Sequence, residues 1–275
     1  MSESFGRVAA LHWGAVFFYA LSAVLATYGQ IFRRDRIIRL AHLLPWPGVA
    51  IHTAAIGLWW NVVGHGPYIE RFEVLTSNAW ILVVFFLIIA RFVQQVRPAG
   101  LLVFPTVVFM VALAVFLKPE TKDLPPTFRS FWLILHITIY KIAFAALVIA
   151  LVFSIFYLLR SRGRLASVAA LSDLSVIDLR AYRFAGFGFA LWASGMLAGS
   201  IWAYQSWNVF WNWDPVQTWS LITWVMFGIY LHMRRFFGMK GERAAWLFVL
   251  CFILALVSLF LTPLFESSIH AEYFK

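Results

Sequence analysis

Long runs of apolar residues dominate the chain, and short polar or charged segments separate them. A helix that crosses a membrane needs about 17 to 25 mainly apolar residues, because each residue adds only about 1.5 Å along the helix axis. Eight runs meet this length: residues 9–32, 44–63, 76–96, 100–117, 131–159, 184–203, 215–236 and 244–262. Since backbone groups find no water within lipid, each run is predicted to be an α-helix. The pattern therefore predicts an all-α, polytopic membrane protein in which residues 1–275 form a single domain. A short surface helix is also expected between the fifth and sixth spans.

The amino-acid composition agrees with this pattern. Hydrophobic residues make up 63% of the 275 residues, charged residues make up 12%, and the mean hydropathy is +0.83. Soluble globular domains carry about 25% charged residues, so the composition excludes that class. The single cysteine, Cys251, excludes an intramolecular disulfide and a Cys-x-x-Cys redox pair.

The formal net charge of +10 would suit a nucleic-acid partner, but the positions of the basic residues indicate a membrane orientation instead. Fifteen of the 22 Lys and Arg residues fall on one side of an eight-span arrangement: Arg33, Arg34, Arg36, Arg39, Arg91, Arg97, Arg160, Arg162, Arg164, Arg180, Arg183, Arg234, Arg235, Lys240 and Arg243. By the positive-inside rule this side is cytoplasmic. Both termini and the segment between spans six and seven are then extracytoplasmic. We therefore expect a multi-pass membrane protein that contacts membrane lipid and no nucleic acid.

The segment between spans six and seven has an unusual density of aromatic rings. It reads Trp207-Asn-Val-Phe-Trp-Asn-Trp-Asp-Pro-Val-Gln-Thr-Trp219. Tryptophans are common at membrane interfaces because their rings are amphipathic, so an aromatic belt is one interpretation. A belt does not require Trp-x-Trp-Asp-Pro, whereas a site for a flat aromatic ligand does. The candidate binding residues of such a site are Trp207, Trp211, Trp213, Asp214 and Trp219.

Histidines within the apolar runs are the second candidate chemistry. His52 of span two and His232 of span seven both lie near the cytoplasmic end of their spans. Ionisable groups inside a membrane usually serve a function, and two imidazoles at one depth can ligate a heme iron from its two faces. The alternative for His52 is a hydrogen bond to a neighbouring helix, and for His232 an interfacial position beside Arg234. Of the remaining histidines, His12 and His42 are expected at the membrane interface, and His65 in an exposed turn.

The tryptophan segment resembles the tryptophan-rich "WWD" signature of the heme-handling proteins of cytochrome c maturation. Its continuation is most similar to the CcsA (ResC) branch of that family and reads Thr218-Trp-Ser-Leu-Ile-Thr-Trp-Val-Met-Phe-Gly-Ile-Tyr-Leu-His-Met-Arg234. The sequence Gly64-His-Gly-Pro67 resembles the family's exit from span two. Two positions depart from the family pattern: Asn208 stands where Gly is usual, and Gln217 stands where Glu is usual.

The resemblance implies an outer heme site as well as an inner one. His136, near the outer end of span five, and His270, after span eight, match the family's external histidines. The resemblance then implies that heme b is held by His52 and His232, and afterwards by His136 and His270, against the tryptophans. Asp214 would orient a ligand or a loop amide. The family delivers heme to the Cys-x-x-Cys-His motifs of apocytochromes c together with a CcsB (ResB)-type membrane partner, as a system II heme lyase.

The same residues also fit a second function, electron transfer. Two hemes, each between two histidines and near opposite faces of a membrane, are also the layout of an electron carrier such as a quinol-oxidising cytochrome b subunit. The departures at Asn208 and Gln217 favour such a diverged role more than an unaltered motif would. A solute transporter would show repeats or broken helices in matching halves, and the sequence shows neither.

Overall fold

A computed structural model describes residues 2–117, 119, 126–165, 168, 171 and 173–262. Its α-helices are α1 (Ser2–Ile31), α2 (Asp35–Leu43), α3 (Pro45–Val63), α4 (Arg71–Phe92), α5 (Gly100–Phe116), α6 (Phe131–Ser161), α7 (Leu174–Trp207), α8 (Pro215–Phe236) and α9 (Gly241–Leu256). Short 3-10 helices at Gln94–Ala99 and Pro126–Phe128 come before α5 and α6, and a π-helical turn, Val257–Leu261, extends α9. No strand occurs in these residues, as the apolar pattern predicts.

Each of the eight predicted spans coincides with a helix. Six of the helices are long and apolar enough to cross a membrane: α1, α4, α5 with its 3-10 turn, α6, α7, and α9 with its π-helical turn. Helices α3 and α8 fall short because prolines, tryptophans and polar side chains interrupt their apolar sequences. The all-α, polytopic membrane fold is therefore confirmed, whereas the number of eight crossings stays a prediction.

Helix α7 is longer than its apolar run. It extends from Leu174 to Trp207, whereas the pattern predicts a span over 184–203. Its N-terminus is capped by Asp173, whose carboxylate accepts a hydrogen bond of 2.8 Å from the Ser175 N–H, which satisfies a backbone donor that the helix leaves unpaired. The polar residues directly before span six therefore form the first turns of α7. For these residues, the prediction of a separate surface helix was wrong.

The helices group into two compact units. Unit 1 comprises Met1–Asp123 and Leu165–Ser172 and contains α1 to α5, and unit 2 comprises Leu124–Arg164 and Asp173–Lys275 and contains α6 to α9. In unit 1, α1 packs against α3 and α5, and α4 packs against α5. In unit 2, α6 packs mainly against α7, and α9 packs against both α6 and α8.

The close approach of α6 to α7 depends on glycines of α7. A Cβ atom on Gly195 would lie 2.5 Å from the Tyr140 ring, and one on Gly199 would lie 2.5 Å from Nδ1 of His136. These two glycines form a Gly-x-x-x-Gly spacing, which lets the backbones of two membrane helices approach closely. The glycines therefore hold His136 and Tyr140 directly against the backbone of α7.

Candidate functional site

The tryptophan segment is the connection between α7 and α8. Helix α7 ends at Asn208, whose left-handed backbone (φ 59°, ψ 22°) lets its N–H donate to the Tyr204 carbonyl at 2.9 Å. Glycine is the usual residue in this helix-ending conformation, and asparagine is the next most common. The departure from the family pattern at position 208 therefore retains the backbone conformation that ends α7.

Asp214 begins α8. Its buried carboxylate accepts a hydrogen bond of 2.9 Å from the Val216 N–H, and Pro215 occupies the first helical position, where an N–H is not needed. The Thr218 hydroxyl donates to the Trp213 carbonyl at 3.0 Å and closes the turn. Asp214 thus orients a backbone amide of the first turn of α8, and its role toward a ligand stays a prediction.

Gln217 stabilises the loop from within α8. Its side-chain carbonyl accepts a hydrogen bond of 3.0 Å from the Asn212 N–H, and the Asn212 side chain accepts one of 3.2 Å from the Asp214 N–H. A glutamate carboxylate could accept the same bond as the glutamine carbonyl. The departure at position 217 therefore removes a charge while keeping the contact that shapes the loop.

The tryptophans differ in exposure. Trp213 is 68% exposed, and its ring lies edge-to-face with Trp211, with ring centres 5.8 Å apart. Trp211, Trp207 and Trp219 are half-buried, and Trp207 packs on Trp202 at 5.0 Å. Trp213 also has a left-handed backbone with φ 59°, a conformation that costs a bulky residue about 1 to 3 kcal/mol. The loop thus holds its most open indole ring in a strained conformation next to Asp214.

His136 lies in the second turn of α6, which Ser130 caps by accepting a hydrogen bond from the Trp132 N–H at 3.2 Å. Its Nδ1 lies 2.8 Å from the Gly195 carbonyl oxygen. Because a carbonyl only accepts, Nδ1 carries the hydrogen and Nε2 carries the lone pair. Metal-binding histidines have the same arrangement, with the second nitrogen donating to a carbonyl or carboxylate. His136 therefore fits iron ligation through Nε2.

Tyr140 connects His136 to the start of α8. The centres of the His136 and Tyr140 rings lie 4.8 Å apart. The Tyr140 hydroxyl forms a hydrogen bond with the Ser220 hydroxyl, and Trp192 Nε1 also donates to the Ser220 hydroxyl, at 3.0 Å. Ser220 directly follows Trp219, so the structure brings His136 and the first turns of α8 together at one end of unit 2. These contacts were not predicted from the sequence, although Tyr140 lies four residues after His136 and so shares its helix face.

Unit 2 also contains the positions of two other predicted ligands, of which the structure describes one. His232 lies near the opposite end of α8 from Asp214, is exposed, and contacts the rings of Phe236 and Phe237 at 4.6 and 5.7 Å. His270 lies outside the residues that the structure describes. Its pairing with His136 therefore stays a prediction.

His52 of α3 is fully buried in unit 1. Its Nε2 lies 2.6 Å from the Thr76 hydroxyl of α4, and its Nδ1 lies 3.3 Å from the Tyr19 hydroxyl of α1. The hydrogen bond to a neighbouring helix that the sequence left as an alternative is thus present. In this conformation both nitrogens are engaged, so His52 does not fit iron ligation without losing a partner. His232 belongs to unit 2, and the pairing of the two as ligands stays a prediction.

His12 was expected at the membrane interface, which stays a prediction, and its spacing along the sequence indicated no partner. It is fully buried in unit 1, with Nδ1 at 2.8 Å from the Val8 carbonyl, Nε2 at 2.7 Å from the Thr76 hydroxyl, and its ring 5.1 Å from that of His52. Thr76 is 64 positions away in the sequence, so the spacing of residues along α1 could not reveal it. The signal that could have done so is an ionisable side chain within an apolar run.

His65 was expected in an exposed turn, and it is only 5% exposed. The fully buried Glu73 carboxylate accepts hydrogen bonds from Trp59 Nε1 at 3.0 Å, the Ile69 N–H at 2.9 Å and the Glu70 N–H at 3.1 Å. These bonds fold the loop between α3 and α4 back onto the helix ends, which buries the histidine. Within the described residues, no group of three or more His, Cys, Asp or Glu side chains is placed to hold a metal ion.

Comparisons with known proteins agree on one family. The sequence profile of a family described as cytochrome C assembly protein matches residues 68–270. Similar sequences include the cytochrome c biogenesis protein CcsA of Chlamydomonas reinhardtii, 33% identical over 193 residues, with 68% of this chain and 55% of that protein covered. CcsA of Mesostigma viride is 28% identical over 289 residues, with 92% and 93% covered. CcsA of Prochlorococcus marinus (strain MIT 9312) is 28% identical over 271 residues, with 88% and 87% covered.

Among solved structures, the cytochrome c heme lyase CcmF has the same fold. It matches with a TM-score of 0.69 and 17% sequence identity, over 98% of this chain and 48% of that one. The chain thus spans about half the length of that protein. At this identity the likeness concerns the fold alone.

Proposed function

This chain belongs to the cytochrome C assembly protein family, and on that premise we propose that it serves cytochrome c maturation of the system II type. In this function it binds heme within the membrane and presents it on the extracytoplasmic face for attachment to apocytochromes c. The observation that carries the proposal is the hydrogen bond of 2.8 Å between Nδ1 of His136 and the Gly195 carbonyl, which orients the imidazole and places its hydrogen on Nδ1. A histidine prepared in this way is suited to hold an iron atom.

At the outer site, His136 and His270 would hold the iron of heme b, and the tryptophan segment would contact its aromatic ring system. Indole rings at positions 207, 211, 213 and 219 would supply affinity through burial of apolar surface, at roughly 25 cal/mol per Å². Asp214 contributes indirectly, because it fixes the start of α8 and with it the loop that carries Trp211 and Trp213. When bound, heme supplies the groups that form thioether bonds with the Cys-x-x-Cys-His motif of the acceptor.

The inner site would use His52 and His232. Both nitrogens of His52 are engaged in hydrogen bonds, so His52 would have to lose one partner before it could hold iron. The distribution of arginines supports the proposal that the inner site lies near the cytoplasmic face of the membrane and that both termini are extracytoplasmic. A CcsB (ResB)-type membrane subunit is the proposed partner, and the bacterial cytoplasmic (inner) membrane is the proposed location.

The outer site is tested by the absorption spectrum of the purified protein. His136→Ala should lower the bound heme about tenfold or more, and added imidazole should restore part of it by replacing the missing ligand. His42→Asn, which changes a histidine outside the proposed sites, is the matched control and should retain wild-type heme content. If His136→Ala binds as much heme as the wild type, with the same spectrum, the proposed outer site is wrong.

The electron-carrier alternative is not retained. It drew support from the departures at Asn208 and Gln217, but Asn208 keeps the conformation that ends α7, and Gln217 keeps the hydrogen bond to Asn212. The two replacements therefore leave the shape of the loop intact. Among the residues that the structure describes, no contact favours electron transfer over heme delivery.

A further inference from the structure

Unit 1 contains a buried cluster of polar side chains that the proposed function does not explain. His12 and Tyr19 of α1, His52 of α3 and Thr76 of α4 are each at most 2% exposed. Four hydrogen bonds link them in a row, from the Tyr19 hydroxyl through His52, Thr76 and His12 to the Val8 carbonyl. Burying a polar group costs free energy unless the group forms a hydrogen bond, and each of these side chains forms at least one. The row of hydrogen bonds therefore stabilises the packing of α1, α3 and α4.

The direction of every hydrogen bond in the row follows from the Val8 carbonyl, which stands at the end of the row. The Val8 carbonyl can only accept, so Nδ1 of His12 must carry the hydrogen in their bond of 2.8 Å. A neutral imidazole has one donor and one acceptor nitrogen, so Nε2 of His12 is an acceptor. The Thr76 hydroxyl, 2.7 Å from this nitrogen, therefore donates its single hydrogen to His12.

The state of His52 follows in turn. Since the Thr76 hydrogen is already used, Thr76 can only accept in its bond of 2.6 Å with His52. Nε2 of His52 must then carry the hydrogen, and Nδ1 carries the lone pair. The Tyr19 hydroxyl donates to this lone pair across 3.3 Å, and the row is complete with every hydrogen bond pointing the same way.

We infer that His12 and Thr76 are positioning residues that hold His52 in the tautomer whose Nε2 is a donor, and so keep that nitrogen from binding iron. Ligation through Nε2 needs its lone pair, so the bond to Thr76 has to break and the proton has to move to Nδ1 of the same ring. No charge is gained or lost, and the Tyr19 oxygen changes from donor to acceptor at Nδ1. The inference rests on the proposed role of His52 as an inner ligand.

The tautomer is measurable without any heme. The full-length protein, labelled with 15N-histidine and held in lipid nanodiscs, should show the Nε2–H tautomer at the signal that is missing in His52→Asn. His12→Phe should shift His52 towards the Nδ1–H tautomer, because the Thr76 hydrogen then becomes available to donate to Nε2. A merely structural role for His12 would not reverse the tautomer. Finding the Nδ1–H tautomer of His52 in the wild type would overturn the inference.

Heme binding provides the second readout, with hemin as the probe and His136→Ala as the background that removes the outer site. Thr76→Val deletes the hydroxyl at nearly constant volume and should tighten hemin binding about two- to tenfold, the equivalent of one hydrogen bond. Thr76→Ser keeps the hydroxyl and is the matched control, expected to bind as the background does. Equal affinities for the valine and serine variants would overturn the inference.

A further variant, His52→Ala in the same background, separates the two levels of the proposal. It should abolish the remaining hemin binding. If binding is unchanged, His52 is not a ligand, and both the inner site and its control by Thr76 are wrong, whatever the tautomer. If binding is lost while Thr76→Val has no effect, His52 is a ligand and only the positioning role is wrong.

Discussion

At the scale of single residues, the candidate site is held by side chains that bond to backbone. Asp214 caps α8, Gln217 ties the loop through Asn212, and His136 is oriented by the Gly195 carbonyl. Neither the composition nor the spacing of residues in the sequence predicts these hydrogen-bond partners. The Asp214 cap of α8 is the exception, because Asp-Pro before an apolar run is typical of a helix start. The role of Asp214 as a binding residue stays a prediction, and its described hydrogen bond orders the start of α8.

Asp214→Ala should destabilise the protein by about 0.5 to 2 kcal/mol, the usual cost of losing a helix cap, and should also lower bound heme. Asp173 has the same capping role at α7, where it accepts from the Ser175 N–H, and lies outside the tryptophan loop. Asp173→Ala should therefore show a similar loss of stability in thermal unfolding with unchanged heme content. Equal heme content in the two variants would contradict the role assigned to Asp214.

His42 should give stability a dependence on pH. It lies on α2 with Nδ1 at 2.8 Å from the Ile38 carbonyl, and its burial lowers its pKa below the ordinary value, although hydrogen bonds to backbone carbonyls oppose the shift. The unfolded chain then binds the proton more readily than the folded one. The stability contributed by neutral His42 is complete above about pH 6.5 and is lost as the pH falls below that value.

Thermal unfolding at pH 8 and pH 5.5 tests this dependence. The wild type should lose more stability between the two conditions than His42→Gln, which cannot take up the proton. A wild type and a variant with the same pH dependence would show that His42 does not contribute.

At the scale of elements, the packing of α6 on α7 decides where His136 lies. The two helices approach at Gly195 and Gly199, where a methyl group would collide with Tyr140 or His136. The imidazole of His136 is also held by a hydrogen bond to the facing backbone. The glycine spacing is therefore a requirement of the candidate site as well as of the fold.

Gly199→Ala should cost about 1 to 3 kcal/mol through overpacking and should displace His136 from the Gly195 carbonyl, which lowers bound heme. Gly186 of the same helix is the matched control, because a Cβ there would meet only Leu231, at 4.0 Å. Gly186→Ala should leave heme content unchanged and should not destabilise α7. Heme content and unfolding temperature of both variants check this pair of outcomes.

At the scale of the whole molecule, the number of crossings decides which side of the membrane carries the tryptophan segment. Six helices meet the length and composition of a span, and α3 and α8 do not. With an extracytoplasmic N-terminus, the segment is extracytoplasmic if α3 and α8 also cross and cytoplasmic if only the six helices cross. The proposed delivery of heme, together with the orientation that the arginines indicate, therefore requires eight crossings.

Labelling of a single cysteine distinguishes the two arrangements. Cys251 is fully buried and can be replaced by alanine, and Val209, 45% exposed in the tryptophan loop, then becomes the only cysteine as Val209→Cys. A maleimide that does not cross membranes should label this variant from outside the cytoplasm and should not label Arg36→Cys in the same background. The opposite pattern would contradict eight crossings with extracytoplasmic termini.

The sequence by itself determined the helices, their approximate bounds and the tryptophan loop between α7 and α8. These features are encoded locally, since apolar runs, Asp-Pro and a helix-ending residue act on their own segment of the chain. The tertiary structure alone decided the partners of the histidines. His12 and His52 meet at Thr76, which lies 64 and 24 positions away from them, and His136 meets Gly195 of the next helix. Periodicity records which face of a helix is apolar, but the side chain on the facing helix, and with it the tautomer of each imidazole, exists only once the helices have packed.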